Sequence, residues 1–471
     1  MSPVLSPPQR ASLFDDPRAP EPAALELTAR RRPAAPRPGV VSALGVVAGL
    51  GLGVTVALAV SAETAGSLSA PGGIATALGR LAGLLAAYAM VVVVVLVARV
   101  PPLERAVGQD RLVRWHRTLG PWPLYLLIAH AVLITVGYAR AANDGLLHQF
   151  GQLLLTYTGV LAATAGAVLL LAAGITSYRL ARRRMAYETW WSVHLYTYLA
   201  LFFAFSHQVD TGASFVGHPT ARFWWTGLWV GTLALVLAAR IGLPVWRSLR
   251  HRVRVVGVTP EGPGVVSLVL RGRHLDRLPI AGGQFLQWRF LRPGLWWQAH
   301  PYSLSAAPAG DLLRITVKDL GDHSAGLAAI APGTPVAIEG PYGVFTADTV
   351  RRRRVLLIGA GVGAAPIFAL LQELPAEVGV TVILRASSAE DLVLADNIAA
   401  EVRRRDGRLI KLVGPREQVR LDAPALTALI PGLPKHDVYL CGPEALSVAL
   451  AEELRRARVP EACIRFESFA F

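Results

Sequence analysis

The chain is poor in charge and in cysteine, and each shortage excludes classes of protein. Only 17% of its 471 residues are charged, whereas 53% are hydrophobic and the mean hydropathy is +0.43. Soluble globular chains have about 25% charged residues, so the composition argues against a disordered or purely cytosolic protein. The two cysteines, Cys441 and Cys463, are too few for a disulfide scaffold, a cysteine-ligated zinc site or a four-cysteine iron–sulfur cluster.

Lysine is also scarce, although the chain is basic. The formal net charge is +15, yet only Lys318, Lys411 and Lys435 are lysines among 47 basic residues. A lysine-rich tail for nucleic acid is therefore absent, and we expect no nucleic-acid partner. The charge then reflects either an anionic membrane surface or the orientation of membrane-spanning helices, and its distribution decides between them.

Long apolar runs fill the first half of the chain. Residues 1–38 are rich in proline and lack apolar periodicity, which predicts a disordered cytoplasmic tail. We expect no signal peptide, because the first long apolar run begins near Gly39. Six runs follow, each close to the ~20 residues that an α-helix needs to cross a bilayer: 40–60, 78–98, 119–138, 153–177, 190–208 and 223–245. The sequence therefore predicts a six-span membrane domain over residues 39–245.

Arginines are distributed unequally between the two sides of these spans. With the N-terminus inside, the outer side has only Arg80, Arg140 and Arg222. The inner side has eighteen: Arg30, Arg31, Arg32, Arg37, Arg99, Arg105, Arg111, Arg114, Arg117, Arg179, Arg182, Arg183, Arg184, Arg240, Arg247, Arg250, Arg252 and Arg254. This bias follows the positive-inside rule and predicts a multi-pass protein of the cell membrane with both termini cytoplasmic.

The second half of the chain has the patterns of two soluble domains. Short β-type runs (Val265–Leu270, Phe285–Phe290, Leu312–Val317) alternate with Gly/Pro turns and predict an antiparallel barrel over residues 246–348. Over residues 349–471, strands alternate with helical stretches, which is the βαβ pattern of a parallel nucleotide-binding sheet. The predicted strands are Val355–Ile358, Val380–Leu384, Leu409–Val413 and Val438–Leu440.

Four histidines fall in or at the edge of two predicted spans: His116 and His130 in the third, His194 and His207 in the fifth. Ionisable residues at membrane depth are costly and usually face the bundle interior. The separations of 14 and 13 residues correspond to about 21 and 19.5 Å along a helix, and the two spans run in the same direction. His116 is then level with His194 near the inner face, and His130 with His207 near the outer face. Two level pairs predict two haems, each with two histidine ligands.

Alternatives remain for these residues. Each histidine is also compatible with an interfacial imidazole bonded to a backbone carbonyl. Fourteen helical steps return within about 40° of the starting face, but 13 steps do not, so helix five is locally irregular or the two haems are rotated relative to each other. Arg80 is either a snorkelling arginine or a residue beside the outer haem, facing propionates or an anionic product.

Turn motifs in the predicted barrel favour a flavin. They are Gly283-Gln284-Phe285, His300-Pro301-Tyr302-Ser303, the Gly321–Leu327 stretch, and Gly340-Pro341-Tyr342-Gly343. An aromatic beside a hydroxyl residue covers a flavin ring and bonds its N5, and a Gly/Ser turn that opens a helix presents N–H groups to a pyrophosphate. Each motif alone is an ordinary turn, but their order and spacing together predict an FAD site. Its candidate residues are Gln284, His300, Pro301, Tyr302, Ser303, Lys318, His323 and Ser324.

The last domain carries a dinucleotide pattern. A buried strand leads into a turn with Gly359, Gly361, Gly363 and Pro366, the context of a dinucleotide phosphate site. Later strand ends carry candidates for a 2′-phosphate clamp that favours NADPH over NADH, or ordinary surface residues: Arg385, Ser387 and Arg416.

Two further features lie near the C-terminus. Cys441-Gly442-Pro443 closes the last main strand at the expected nicotinamide crevice, although Cys441 also fits a small buried residue without chemistry. The chain ends with Glu467, Ser468, Phe469, Ala470 and Phe471. The terminal Phe471 is either a movable cover for the flavin face or a packing residue at a frayed end.

Taken together, these residues resemble the NADPH oxidase/ferric reductase superfamily, over about residues 40–471. The resemblance rests on the four membrane histidines, His-Pro-Tyr-Ser at 300–303, the turn at 359–366, Cys-Gly-Pro at 441–443 and Phe471. It implies a six-helix domain with two b-type haems, fused to a ferredoxin-reductase-like FAD barrel and an NADP-binding domain. It also implies a role for Arg80 near the outer haem. His300 replaces the arginine that faces the flavin pyrophosphate in ferredoxin reductases, a pattern that the oxidase branch shares.

The resulting expectation is a membrane-embedded oxidoreductase. NAD(P)H delivers a hydride to FAD, with Ser303, Glu467 and Cys441 shaping the crevice and Phe471 yielding its stacking position. Flavin then releases single electrons to the inner haem, the outer haem and an external acceptor: O2, a ferric chelate or a quinone. The alternative is a transporter or anchor whose flavoprotein half serves a separate cytosolic partner. The sequence leaves the oligomeric state open.

Overall fold

The computed structural model describes residues 38–178, 185, 187–415 and 417–469. Almost all of the predicted tail, the inner arginines at 179–184, and the candidates Arg416 and Phe471 lie outside the described residues. The side chain of His323 lies outside them as well.

The first half of the described chain is helical. Five stretches are long and apolar enough to cross a membrane, at 39–61, 73–96, 111–142, 160–177 and 219–251, so the chain has the helices of a multi-pass membrane protein. A sixth long helix covers the predicted fifth run but includes more polar residues. The helices are α1 (Pro38–Ser61), α2 (Ala65–Ser69), α3 (Gly73–Leu96), α4 (Pro101–Val107), α5 (Gln109–Leu119), α6 (Pro121–Ala142), α7 (Leu146–Thr156), α8 (Val160–Ser177), α9 (Tyr187–Thr211), α10 (Pro219–Leu237) and α11 (Leu243–His251), with a π-helical turn at Ala238–Gly242.

Three of the predicted apolar runs are divided between helices, of which the run at 223–245 covers most of α10, the π-helical turn and the start of α11. The run at 153–177 starts inside α7, and α8 begins only after Gly159, whose φ of +79° favours glycine. The third span starts earlier than predicted, because α5 leads directly into α6 through Gly120 and Pro121. Pro121 fits the first position of α6, where its missing N–H costs no helical bond.

Small residues bring the membrane helices together in two close pairs, α3 with α6 and α8 with α9. An ideal Cβ at Gly137 of α6 would lie 2.2 Å from the Thr76 Oγ1 of α3. One at Gly166 of α8 would lie 2.7 Å from the Ala200 carbonyl oxygen of α9. Such glycines allow the backbones to approach closely, as is typical of membrane helix pairs.

Six antiparallel strands follow α11, in two sheets with the orders β1-β2-β5 and β4-β3-β6. Isolated bridges at Leu304–Ile315 and Arg254–Pro335 connect the sheets on both sides. Trp288, Phe290 and Leu268 are fully buried between them. The elements are β1 (Arg254–Gly262), β2 (Val265–Arg271), β3 (Phe285–Phe290), β4 (His300–Ser303), β5 (Leu312–Lys318), α12 (Asp322–Gly326) and β6 (Val336–Tyr342).

The remaining chain forms a five-stranded parallel sheet of order β11-β10-β7-β8-β9; the sequence predicts the parallel sheet and four of its strands, but not β11. The strand order reverses between β7 and β10, and doubly wound sheets bind ligands at such a switch point. The elements are β7 (Arg354–Ala360), α13 (Ala364–Glu373), β8 (Gly379–Ala386), α14 (Ala395–Arg404), β9 (Arg408–Val413), α15 (Ala423–Leu429), β10 (Asp437–Pro443), α16 (Glu444–Arg456) and β11 (Ile464–Phe469).

Candidate functional site

The inner histidines lie together. The ring centres of His116 and His194 are 6.1 Å apart, and their planes are inclined by 74°. The His116 Nδ1 donates to the Val93 carbonyl of α3 at 3.1 Å. Because a carbonyl oxygen only accepts, Nδ1 carries the proton and Nε2 is left to bind a metal.

The His194 ring contacts Trp190 and Ser177. The Trp190 ring stacks on it with ring centres 5.2 Å apart. The Trp190 indole N–H donates to the Ser177 hydroxyl at 3.1 Å, and that hydroxyl lies 3.4 Å from the His194 Nδ1. Tryptophan and serine thus fix the orientation of the second inner ring.

In the outer pair, too, one histidine donates a hydrogen bond to a main-chain carbonyl of α3. The His130 Nδ1 donates to the Gly79 carbonyl at 2.8 Å, and an ideal Cβ at Gly83 would lie 2.6 Å from the same nitrogen. His130 therefore packs against a surface that requires glycine. The buried His207 Nδ1 makes no hydrogen bond of good geometry with a described residue, but it interacts electrostatically with His130 and the Ala204 carbonyl.

The geometry of the inner pair fits haem. Two imidazoles on opposite sides of one metal ion, each with a metal–nitrogen bond of about 2.0 Å, have ring centres roughly 6 Å apart, which matches the inner pair. The described residues contain no group of three or more His, Cys, Asp or Glu side chains able to hold a metal. A haem iron with two axial histidines needs only the pair.

Helix α9 is continuous from Tyr187 to Thr211, so local irregularity does not explain its 13-residue spacing. Between the two histidines of the third span, by contrast, α5 gives way to α6 at Gly120. The other predicted explanation, a rotation between the two histidine pairs, stays a prediction.

Arg80 has a charged partner in the described structure. Its guanidinium pairs with the Glu63 carboxylate at 3.0 Å, and the side chain is 28% exposed. It directly follows Gly79, whose carbonyl binds His130. Glu63 was not among the predicted site residues, although it is the only carboxylate in the link between the first two predicted spans.

Several flavin candidates lie at or near one row of cross-strand neighbours in the second antiparallel sheet. Phe285 of β3 pairs with Ser303 of β4 on one side and with Tyr342 of β6 on the other. Ser303 is 6% exposed. The His300 and Tyr302 rings stack with centres 6.3 Å apart, and burial raises the pKa of the Tyr302 phenol.

Other flavin candidates have structural contacts of their own. The Gln284 amide accepts from the Ala281 N–H at 2.9 Å and donates to the Gly343 carbonyl at 2.9 Å. The Ser324 hydroxyl accepts from the Leu320 N–H at 2.8 Å in the first turn of α12. Pro301 pairs with Gln287, and Lys318 ends β5.

The nicotinamide candidates meet at the carboxyl edge of the parallel sheet. Cys441 pairs with Gly359 of β7 and with Glu467 of β11, so three candidates form one row. An ideal Cβ at Gly363 would lie 2.2 Å from the Cys441 carbonyl oxygen. Burial, with a contribution from Glu467, raises the pKa of the Cys441 thiol, which therefore stays protonated.

The glycine turn and its neighbours are tightly packed. Gly361 has a φ of +55°, and Pro366 is buried in the first turn of α13. An ideal Cβ at Gly442, which precedes Pro443, would lie 2.9 Å from the Ala360 Cβ. The turn and the end of β10 therefore approach each other through small residues.

The two sets of candidates touch at Gly343 and Glu467. An ideal Cβ at Gly343 would lie 2.7 Å from the Glu467 Oε1, and the φ of Gly343 is +93°. The Arg385 guanidinium, by contrast, donates to the carbonyls of Ala386 and Leu412, while Ser387 is exposed.

A charged cluster connects the membrane helices to β6. The Arg99 guanidinium lies 4.3 Å from the Tyr342 ring centre and 3.7 Å from the Glu104 carboxylate. The Tyr342 hydroxyl donates to Glu339 at 2.6 Å, and Arg240 approaches the same carboxylate at 4.0 Å. We call Arg99, Glu104, Arg240, Glu339 and Tyr342 the junction cluster.

Burial raises the pKa of Glu104 to about 7. Arg99 opposes this shift, and the like charge of Glu339 adds to it. Glu104 was not among the predicted site residues, because the neighbouring arginines were interpreted only as markers of orientation.

Comparison with known proteins confirms the predicted resemblance. Residues 82–205 match the family described as ferric reductase like transmembrane component. The NADPH oxidoreductase of Mycobacterium tuberculosis is 26% identical over 43% of this chain and 56% of its own length. The Vibrio cholerae flavohemoprotein is 31% identical over 50% and 63%. Respiratory burst oxidase homolog protein D of Arabidopsis thaliana is 26% identical over 32% and 18%.

Among solved structures, the FAD/NAD binding domain of nitric oxide dioxygenase from Vibrio cholerae matches 47% of this chain and 99% of its own, with 26% identity and a TM-score of 0.39. The chain spans 56% to 59% of the length of the first curated relatives that it matches.

Proposed function

We propose that this chain, with its ferric-reductase-like membrane segment, is an oxidoreductase that carries electrons from cytosolic NAD(P)H through FAD and two b-type haems to an acceptor outside the cytoplasm. The observation that carries the proposal is the His116–His194 pair, whose ring centres are 6.1 Å apart. In the second pair, His130 with His207, His130 shares with His116 the hydrogen bond to a carbonyl of α3.

Bound haem would supply one-electron chemistry. His116 with His194 would hold the inner group, and His130 with His207 the outer one. The α3 carbonyls keep Nδ1 of His116 and His130 protonated and direct Nε2 to the metal. Two ligands per iron leave no open coordination position, so the acceptor would be reduced at the edge of the group.

Bound FAD would accept a hydride and release electrons singly. We propose that the six antiparallel strands, joined by their bridges, form one closed barrel over residues 246–348. Ser303 and Tyr302 then face the flavin ring, while Gln284, His300, Pro301, Lys318, His323 and Ser324 complete the flavin site. The Ser303–Phe285–Tyr342 row ends at the residue that Arg99 covers. That contact would set the flavin site against the inner membrane face.

Residues 349–471 would bind the nicotinamide dinucleotide. Gly359, Gly361, Gly363 and Pro366 would cradle its phosphates. Cys441, Gly442, Pro443 and Glu467 would shape the crevice, with Phe471 as a movable cover. For NADPH preference Arg385 would have to exchange its carbonyl partners for a 2′-phosphate, beside Ser387 and Arg416.

The membrane part would span the cell membrane six times over residues 39–245, with α9 as the fifth span. The tail 1–38 and both termini would be cytoplasmic. Membrane lipid and a small electron acceptor are the proposed partners.

Haem content tests the proposal directly. The purified full chain should show the sharp reduced α-band of haem with two histidine ligands, together with bound flavin. His130→Ala should lose roughly half of the haem, because it removes a ligand of one group only. His148→Ala is the matched control, since His148 is exposed and pairs with Asp144. Flavin without an α-band would overturn the proposal in favour of an anchored flavoprotein, and full haem content in His130→Ala would contradict the assignment of His130 as a ligand.

A further inference from the structure

The outer links of the membrane part are electrically balanced. They and the adjoining helix ends contain three carboxylates, three arginines and two histidines: Glu63, Asp144, Asp210, Arg80, Arg140, Arg222, His148 and His218. All three carboxylates are in pairs. Arg80 binds Glu63 at 3.0 Å, Arg222 binds Asp210 at 3.2 Å, and His148 binds Asp144. This face therefore lacks the excess of arginine that marks the inner face.

The Glu63 carboxylate is held at both oxygens. Its Oε1 binds Arg80, and its Oε2 accepts from the Ser67 hydroxyl at 2.9 Å. The side chain of Glu63 is only 10% exposed. Ser67 also forms a capping box with Thr64 at the start of α2, so the link is fixed in a defined conformation.

Arg80 belongs to the turn of α3 that contacts His130. Arg80 directly follows Gly79, whose carbonyl binds the His130 Nδ1 at 2.8 Å, and Gly83 packs against the same ring. A guanidinium at this position would attract anions to the outer end of the electron path. Sites of one sign raise the local concentration of oppositely charged partners by roughly tenfold or more. A carboxylate 3.0 Å away cancels most of that attraction, because a compact pair acts at a distance only as a dipole.

We propose that Glu63 is a specificity-determining residue that neutralises Arg80 and makes the outer site select an uncharged small acceptor over an anionic ferric chelate. The inference rests on the proposed function and narrows its acceptor. An uncharged acceptor such as dioxygen takes up one electron without needing to be attracted by a fixed charge.

The test uses the full chain and follows only the last step of the proposed electron path, from the outer haem to the acceptor. Wild type and Glu63→Gln are reduced under argon with stoichiometric dithionite and mixed with either ferric–EDTA or dioxygen, while the haem α-band reports reoxidation. In Glu63→Gln the second-order rate constant for the anionic ferric–EDTA should rise roughly tenfold and fall again with added salt. The rate constant for dioxygen should stay within about twofold, since an uncharged molecule gains nothing from the exposed charge.

Asp144→Asn is the matched control. It removes the same charge from the same face, but Asp144 lies beyond the end of α6, about 20 Å along the helix axis from His130. It should leave both rate constants within about twofold, because exposed charges beyond the Debye length are screened. Arg80→Gln reverses the sign of the local charge and should slow the reaction with ferric–EDTA.

The midpoint potential of the outer haem gives a readout apart from turnover. Glu63→Gln should raise it and Arg80→Gln should lower it, because a positive environment favours the reduced group. Unchanged ferric–EDTA rates and potentials in both variants would overturn the inference, as would an equal rise in Asp144→Asn. An absent α-band would instead contradict the proposed function before any acceptor is added.

Discussion

The predicted inner and outer faces of the membrane part use charge in different ways. On the inner face, Arg99 and Arg240 reach across to Tyr342 and Glu339 of β6. On the outer face, Arg80 and Arg222 pair with carboxylates at or near the end of the preceding long helix. The inner arginines therefore connect two parts of the chain, whereas the outer ones are neutralised locally. A bias in arginine count alone does not distinguish a marker of orientation from a contact.

The largest expected effect comes from a substitution that should disturb the outer histidine pair and leave the inner pair intact. Gly83→Val places a side chain where an ideal Cβ already lies 2.6 Å from the His130 Nδ1. It should displace the outer ring, remove about half of the haem and lower the free energy of unfolding by about 1–3 kcal/mol. Haem content and thermal unfolding measure this. Gly53→Val is the control, because nothing lies within 4 Å of an ideal Cβ there. Full haem in Gly83→Val would show that the outer pair tolerates displacement.

A second change breaks the inner contact while leaving both histidine pairs intact. Arg99→Gln removes the cation from the Tyr342 ring and from Glu104. We expect electron transfer from flavin to haem to slow roughly tenfold, because a misplaced donor costs rate steeply. Stopped-flow absorbance at the flavin and haem bands measures it.

Arg99→Lys tests the reason for that loss. It keeps the charge but loses the planar group that stacks on the ring, so it should recover only part of the rate. Arg140→Gln, on the outer side, should have no effect on this step. Equal slowing in Arg140→Gln would mean that net charge, and not the contact, controls the transfer.

The smallest expected effect is a pH dependence of the junction cluster. The pKa of Glu104 is raised to about 7 from an ordinary value of 4.5. Its protonated form is therefore favoured while the cluster is closed, and this stabilisation is complete below about pH 4.5 and lost as the pH rises through about 7. Between about pH 6 and about pH 8, the free energy that favours the closed state of the junction cluster should fall by about 1 kcal/mol.

Hydrogen exchange of α4 in the full chain measures this opening. Arg99, Arg240 and Arg247 face Glu104 as cations, and Glu339 faces it as an anion. Removing a cation and removing the anion should therefore shift the pKa of Glu104 in opposite directions. Glu339→Gln should move the transition to lower pH and Arg99→Gln to higher pH. Glu104→Gln should abolish it, and persistence of the transition in that variant would assign it to another group.

Local patterns predicted the secondary structure well, because strands and spans depend on short-range periodicity. The strands near Val355, Val380, Leu409 and Val438 all lie in the parallel sheet as expected. The break between α7 and α8 was missed, because apolar residues continue through it and only the positive φ of Gly159 marks it.

The histidine candidates were predictable because imidazoles in apolar helices are conspicuous. The proximity of His116 and His194 follows from their level positions on parallel spans. The Glu63–Arg80 pair and the Arg99–Tyr342 contact were not predictable in this way. They join residues 17 or more positions apart through side-chain geometry, and nothing in the hydropathy of either partner indicates the other.

The anchoring of His116 and His130 by α3 has a consequence for how this protein changes in evolution. Both acceptors are main-chain carbonyls, at Val93 and Gly79, which every amino acid supplies. No single substitution at either position deletes the acceptor, so the protonation state of both rings is insulated from ordinary sequence drift. The vulnerable property is the close fit between helices, and selection should therefore act on residue size along α3 more than on its chemistry.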